Sequence, residues 1–197
     1  SLMSVPRILA LAGSARKDSF NAKLVGVAAE GARKTGAEVT ILDLAEYPLP
    51  LFDEDLERND GTPENASRLK ELFLGSSGLL IASPEYNSSI TPLLKNVIDW
   101  VSRPVEGEPR LAAYQGKVAA IMSASPGALG GLRGLVHVRS ILSSIGVIVL
   151  PDQVSIPNAY DAFDDNGQLK DERKQATVKE LGAGVATMSA SLESGQK

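Results

Sequence analysis

Three short apolar runs constrain what this chain can fold into. Ile8 to Ala12, Gly78 to Ser83 and Lys117 to Ser123 each stop at a loop of Gly, Ser, Pro or Asn, and each loop opens into a helical pattern. Runs of that length, apolar at nearly every position, read as parallel strands buried on both faces. Ala37 to Leu44 alternates apolar and polar residues and reads as a second strand, with Val147 to Val154 as a fifth. Helical patterns fill the intervals. They run from Ser19 to Lys34, closed by Gly36; from Thr62-Pro63-Glu64 through Leu69, Leu72 and Phe73; and from Thr91-Pro92 through Trp100. Two more cover Leu132 to Ile145 and Lys170 to Leu192. Tyr47 to Phe52, with two prolines, is an extended loop, Asp53 to Asn65 a polar surface excursion, and Asp161 to Asn166 an irregular acidic segment. This alternation predicts an α/β fold: a doubly wound five-stranded parallel sheet with helices on both faces.

No repeat or linker divides the 197 residues, so one domain over 1–197 is expected, with 1–5 a tag remnant or disordered and 193–197 a frayed tail. Ligands of such sheets sit beyond the carboxyl ends of the strands, where the strand order reverses. The loops after strands one, three and four converge there. The first carries Gly13, Ser14, Arg16, Ser19 and Asn21, short donors around one guanidinium, just before a helix. Loop amides, a helix N-terminus and an arginine fork together make a phosphate cradle. The plainer alternative is that Gly13 ends the strand and Ser19 caps the helix. The loop lacks the Gly-Lys-Ser/Thr of a nucleotide P-loop and the later glycines of G-x-G-x-x-G, so a single terminal phosphate suits it better than a triphosphate or pyrophosphate.

Composition excludes several function classes. There is no cysteine and one histidine, His137, so thiol redox chemistry is absent and no metal site is expected. A net charge of −4 gives no reason to expect nucleic acid as a partner. No apolar run approaches a membrane span, so no membrane partner is expected. No export signal follows Met3, and the expectation is a cytoplasmic protein.

Together the three loops resemble the NADPH-dependent FMN reductase family, flavodoxin-like bacterial flavin, quinone, azo-dye and chromate reductases. Gly13-Ser14-Ala15-Arg16-Lys17-Asp18-Ser19-Phe20-Asn21 matches G-S-x-R-x-x-S-x-N. Pro84-Glu85-Tyr86-Asn87, followed by Leu94-Lys95-Asn96, Ile98, Asp99 and Trp100, matches the long second motif. Ser123, Ser125, Gly130, Gly131 and Arg133 match a Ser-rich turn before G-G-x-R. The resemblance implies that Ser14, Arg16, Ser19, Phe20 and Asn21 hold the phosphate and ribityl chain of FMN. It places Pro84, Glu85, Tyr86 and Asn87 along the isoalloxazine edge, and Ser123, Ser125 and Gly127 on the other side. It implies an oxidoreductase that passes hydride from NADPH or NADH to bound FMN and on to a small-molecule electron acceptor: a quinone, azo compound, free flavin or metal. A homodimer or homotetramer is implied as well. Val136 stands where chromate-reducing relatives often place a tyrosine at a tetramer contact, which counts against both that contact and chromate as acceptor.

Such chemistry resides in the cofactor and needs no protein nucleophile or dedicated base, and no residue is singled out as catalytic. Individual residues keep plainer alternatives. Tyr86 packs on the following helix, Asn87 bonds its own turn, Glu85 is a solvated charge, and Gly130-Gly131 serves helix packing rather than nicotinamide access. Trp100 and Lys95 read as structural, and His137 as a surface or interface residue. At the level of the whole protein the alternatives are a flavodoxin-type electron carrier, which binds FMN without nicotinamide turnover, and a phosphate-binding α/β protein without flavin.

Overall fold

Apolar continuity places the strands. In the computed structural model, which describes residues 5–195, β1 (Arg7–Ala12), β3 (Gly78–Ala82) and β4 (Val118–Ala124) are buried almost throughout. The edge strands β2 (Glu38–Leu42) and β5 (Ile148–Ile156) are largely half-buried or exposed. All pairings are parallel, in the order β2-β1-β3-β4-β5, which is the flavodoxin-like order with its reversal between β1 and β3. Period-two alternation divides the central strands between two cores. Ile8, Ala10, Leu80 and Ala120 meet α1 (Phe20–Lys34) and α7 (Glu172–Gly195) on one face. Leu9, Leu11, Leu79, Ile81 and Ile121 meet α3 (Glu64–Leu74), α4 (Pro92–Val101) and α5 (Leu132–Ser144) on the other.

The structure differs from the sequence reading in several places. The excursion after Phe52 contains a helix, α2 (Glu54–Asp60), started by Asp53 Oδ1, which accepts from the amides of Asp55 (2.7 Å) and Leu56 (3.3 Å). A four-residue helix, α6 (Ala159–Ala162), interrupts the segment after β5. Pro63 sits at the cap of α3 rather than inside it. β5 runs two residues further than expected and carries a register shift against β4. α7 continues through residues 193–195 of the expected frayed tail. Residues 1–4 of the expected tag and 196–197 lie outside the described residues.

Side-chain donors hold the extended Tyr47 to Phe52 segment on α4. Trp100 Nε1 (2.8 Å) and Asn96 Nδ2 (2.9 Å) both donate to the Pro50 carbonyl, and the Phe52 amide donates back to Asn96 Oδ1 (2.8 Å). Trp100 and Lys95 therefore do structural work, Lys95 by pairing with Asp99 one turn on.

α1 and α7 cross at backbone contact. A Cβ on Gly182 would lie 1.8 Å from the Ala28 carbonyl oxygen, and one on Gly31 would lie 2.0 Å from that of Lys179. Gly26, on the same helix α1, has nothing within 4 Å of its Cβ position. Gly182→Ala is expected to cost at least ~1–3 kcal/mol through overpacking, whereas Gly26→Ala gains up to ~1 kcal/mol of helix propensity. Melting temperatures therefore move in opposite directions, by about 2–4 °C per kcal/mol. A rise for Gly182→Ala would refute the contact.

Tyr114 gives a pH-dependent test. Its ring is fully buried, its hydroxyl donates to the Ile98 carbonyl (3.1 Å), and burial pushes its pKa well above 10.0. Its contribution is thus complete below the unfolded-state value and is lost as pH rises past it, because the unfolded chain ionises first. Tyr114→Phe should cost ~1 kcal/mol at pH 8. That deficit should shrink above pH ~10, as read by denaturant melts at both pH values.

Candidate functional site

The carboxyl ends of β1, β3, β4 and β5 meet around one cavity of about 320 Å³. Gly13 closes the end of β1, its amide donating to the Ala82 carbonyl (2.8 Å) and its carbonyl accepting from Thr91 Oγ1 (2.6 Å). A Cβ at Gly13 would come within 3.0 Å of Leu94 and 3.2 Å of Pro84, so the loop passes between the next loop and its helix at the closest approach the backbone allows. The chain then turns through Ser14, whose Oγ accepts from the Arg16 amide (3.2 Å), and reaches the cap of α1.

Ser19 does cap α1: its Oγ accepts from the Ala22 amide (3.2 Å). The cap and the cradle are compatible, because a hydroxyl that accepts with a lone pair keeps its O–H proton to donate. The first amides of α1 have no intrahelical partner, as at every helix start. Arg16 is the one cation lining the cavity, and Glu85 the one acid. The guanidinium of Arg16 lies 5.3 Å from the Phe20 ring centre and has no carboxylate partner among the described residues. An unpaired guanidinium, a free hydroxyl proton and a helix N-terminus at one end of the cavity form a donor set for an anion.

Asn21 lines the cavity while serving as its clamp. Its Nδ2 donates to the Ala124 carbonyl (2.9 Å) and its Oδ1 accepts from the Ala124 amide (2.9 Å), joining residues 103 positions apart. The loop after β4 is bonded in turn to the loop after β5. The Ser125 amide donates to the Ile156 carbonyl (3.0 Å), and the Ala159 amide donates to the Ser125 carbonyl (3.1 Å).

In the loop after β3, Tyr86 and Ser89 exchange backbone hydrogen bonds across Asn87 and Ser88, both left-handed at φ 51° and 66°. Two left-handed central residues are what a tight type I′ turn requires, and asparagine tolerates that conformation better than most. Asn87 is therefore the tip of a turn. The Tyr86 side chain, 54% exposed, lines the cavity instead of packing on α4.

Glu85 is neither a free charge nor an unattached site acid. Its Oε2 accepts from the Gly134 amide (2.8 Å) in the first turn of α5, whose cap residue, Gly131, has no side chain to do so. Gly131 has φ 87°, and a Cβ there would fall 1.9 Å from Ser123 Oγ; at Gly130, φ 61°, it would fall 2.6 Å from Ile156. The glycine pair is thus demanded by packing. His137 joins the same arrangement: its Nδ1 is 2.7 Å from Ser89 Oγ, which ties α5 to the Tyr86 turn.

The structure accordingly brings Ser14, Arg16, Ser19, Phe20, Asn21, Pro84, Glu85, Tyr86 and Ser125 to one cavity. It does not bring Asn87, Ser123 or Gly127 into its lining. Ser123 is fully buried near the end of β4, which runs on to Ala124, and its Oγ donates to the Ser83 carbonyl (2.6 Å) instead of reaching the cavity. Gly127 is exposed and uses its carbonyl to accept from Gly130 and Asn158. Tyr160, with Ala124 and Pro126, completes the wall and was missed. The available signal was an aromatic just past a strand end, at the edge where ligands bind. Among the described residues no cluster of three or more His, Asp or Glu is placed to hold a metal, and no helix is long and apolar enough to cross a membrane.

Asn21→Ala would leave the Ala124 amide and carbonyl buried without partners, at ~1–3 kcal/mol each. The expected result is a melting temperature lowered by several degrees and a loosened site. An unchanged melting temperature would show that the clamp contributes nothing.

Comparison with known proteins finds relatives over most of the chain. The model of the family described as NADPH-dependent FMN reductase matches residues 6–161. An NAD(P)H-dependent FMN reductase of Pseudomonas aeruginosa is 35% identical over 175 residues, 88% of this chain and 90% of that protein. An NADPH:quinone oxidoreductase of Arabidopsis thaliana is 33% identical, covering 89% of this chain and 87% of its own length. Among solved structures, the flavoenzyme NAD(P)H:(acceptor) oxidoreductase FerB of Paracoccus denitrificans superposes with a TM-score of 0.76 at 28% identity, covering 94% of this chain and 97% of its own.

Proposed function

The chain belongs to the NADPH-dependent FMN reductase family, and on that premise we propose that the cavity holds FMN and that the electrons go to a quinone-type acceptor. The protein is an NAD(P)H-dependent oxidoreductase that uses FMN. Bound FMN supplies a ring able to take a hydride equivalent from NAD(P)H and return two electrons to an acceptor. The single observation that carries the placement is the unpaired Arg16 guanidinium lining the cavity beside the α1 N-terminus.

Arg16, Ser14 and Ser19 hold the phosphate, with the first amides of α1 adding donors and positive partial charge. Phe20 and Asn21 line the adjoining wall. Pro84, Glu85 and Tyr86 border the flavin ring, and Ser125 borders it from the loop after β4. The Glu85–Gly134 bond fixes the backbone beside the ring, so that its polar groups are preorganised toward charge that develops there. The acceptor is taken as a planar quinone because relatives bear that activity in their names and because the cavity wall at Tyr86 is open to solvent. A homodimer fits the exposed apolar stripe on α5, where Leu132 and Val136 stand 44% and 63% exposed one turn apart.

Purified protein incubated with FMN and desalted should stay yellow, bleach on addition of NADPH, and keep consuming NADPH when benzoquinone is present. A yellow protein that oxidises neither NADPH nor NADH would make it an electron carrier, and a colourless, inactive one would remove the flavin altogether. Arg16→Ala should weaken FMN binding about tenfold to a hundredfold, the worth of a charge-assisted phosphate contact. Binding of riboflavin, which lacks the phosphate, should be unaffected; equal losses for both ligands would place the phosphate elsewhere.

A further inference from the structure

Tyr160 stands in an arrangement that the fold does not explain. It belongs to α6 and is 76% exposed, yet its ring is not loose. It meets the Phe20 ring edge-on at 5.1 Å, and Phe20 in turn stacks on Phe163 at 6.1 Å, itself a core residue. The backbone beneath it is fixed as well. Asn158 adopts φ 50°, its amide donates to the Gly127 carbonyl (3.3 Å), and the Ala159 amide donates to Ser125. The Tyr160 hydroxyl has no hydrogen-bond partner among the described residues.

A large aromatic ring, held in place at two levels and left mostly in water, gives the folded chain little burial in return. It gains contact area if a ligand lies beneath it. Tyr160 lines the same cavity as Ser14, Arg16 and Ser19, and its contact with Phe20, the ring beneath the Arg16 guanidinium, puts it at the anion-bearing end. Phe20 links the two, touching Tyr160 on one side and lying under the Arg16 guanidinium on another.

We infer that Tyr160 retains the cofactor: its ring closes over the phosphate and ribityl end of FMN, so that release requires the ring to leave Phe20 or α6 to shift. This rests on the reading that the cavity holds FMN. It makes FMN a resident cofactor, carried through many turnovers, rather than a substrate exchanged at each one. Tyr86 and the opposite wall stay available to nicotinamide and acceptor, while the polar end is closed.

The test is the rate of FMN release. FMN-loaded protein is diluted rapidly and the rise in fluorescence of freed flavin is followed for wild type, Tyr160→Ala and Tyr160→Phe, with melting temperatures of the flavin-free forms as folding controls. The expected result is release at least tenfold faster for Tyr160→Ala and near the wild-type rate for Tyr160→Phe, since the ring does the covering. Equal rates for wild type and Tyr160→Ala would overturn the inference while leaving the FMN site intact. Fast release by both variants would overturn it too, placing retention in the hydroxyl. A wild-type protein that holds no FMN would overturn the underlying reading, and this inference with it.

Discussion

The site depends on a pair of hydrogen bonds between the Asn21 side chain and the backbone of Ala124. β1 and β4 are not neighbours; β3 lies between them, so the loops at their ends start about 10 Å apart. A buried amide that offers both a donor and an acceptor bridges that gap, and it does so from the first turn of the helix whose N-terminus faces the ligand. One side chain thus ties the start of α1 directly to the end of β4 across the cavity. Because both of its partners are backbone groups out of contact with water, the arrangement has a steep cost of failure and little tolerance for drift.

A second economy runs through the site: groups that cap helices also tie loops together. Thr91 Oγ1 accepts from the Leu94 amide to start α4 and donates to the Gly13 carbonyl at the end of β1. Glu85 starts α5 from the loop after β3. Ser19 starts α1 and keeps a proton for a ligand. Each of these helix starts is thus anchored by a residue from the loops at the carboxyl ends of the strands. The rigid elements and the binding loops form one network, which holds polar groups in place before a ligand arrives.

The sheet and its five long helices were legible because burial on both faces leaves a continuous apolar signature, and because Gly36, Thr91 and Pro92 mark helix boundaries chemically. α2 was not legible for a physical reason: it buries no residue, so there is no periodicity to read. It is held by the Asp53 cap and by Glu57, whose carboxylate pairs with Arg103 (2.9 Å) from a distant turn. Ser14, Arg16 and Ser19 could be picked from their spacing because the loop that gathers them is local. Glu85 and His137 could not be assigned, since their partners, Gly134 and Ser89, lie 49 and 48 positions away. Ser123 reads both as the last residue of the fourth strand and as the first of the Ser-rich turn, and one position along a strand turns a side chain from the cavity to the interior. Tyr160 lies between the expected end of the fifth strand and the acidic segment that starts at Asp161, a stretch with no periodicity to single it out.

The backbone contact between α1 and α7 also orders events during synthesis. The two helices meet through glycines and carbonyl oxygens, so nothing else in the chain can substitute for α7 on that face. Every strand precedes it, and a loop on the order of 150 residues must close to bring the helices together. A nascent chain therefore exposes the sheet with one apolar face, including Leu80 and Ala120, covered by α1 but not by α7. At ordinary elongation rates that state lasts on the order of seconds. In that interval the ribosome-bound chain is vulnerable to aggregation through its uncovered apolar face, and docking of α7 on α1 is a late step.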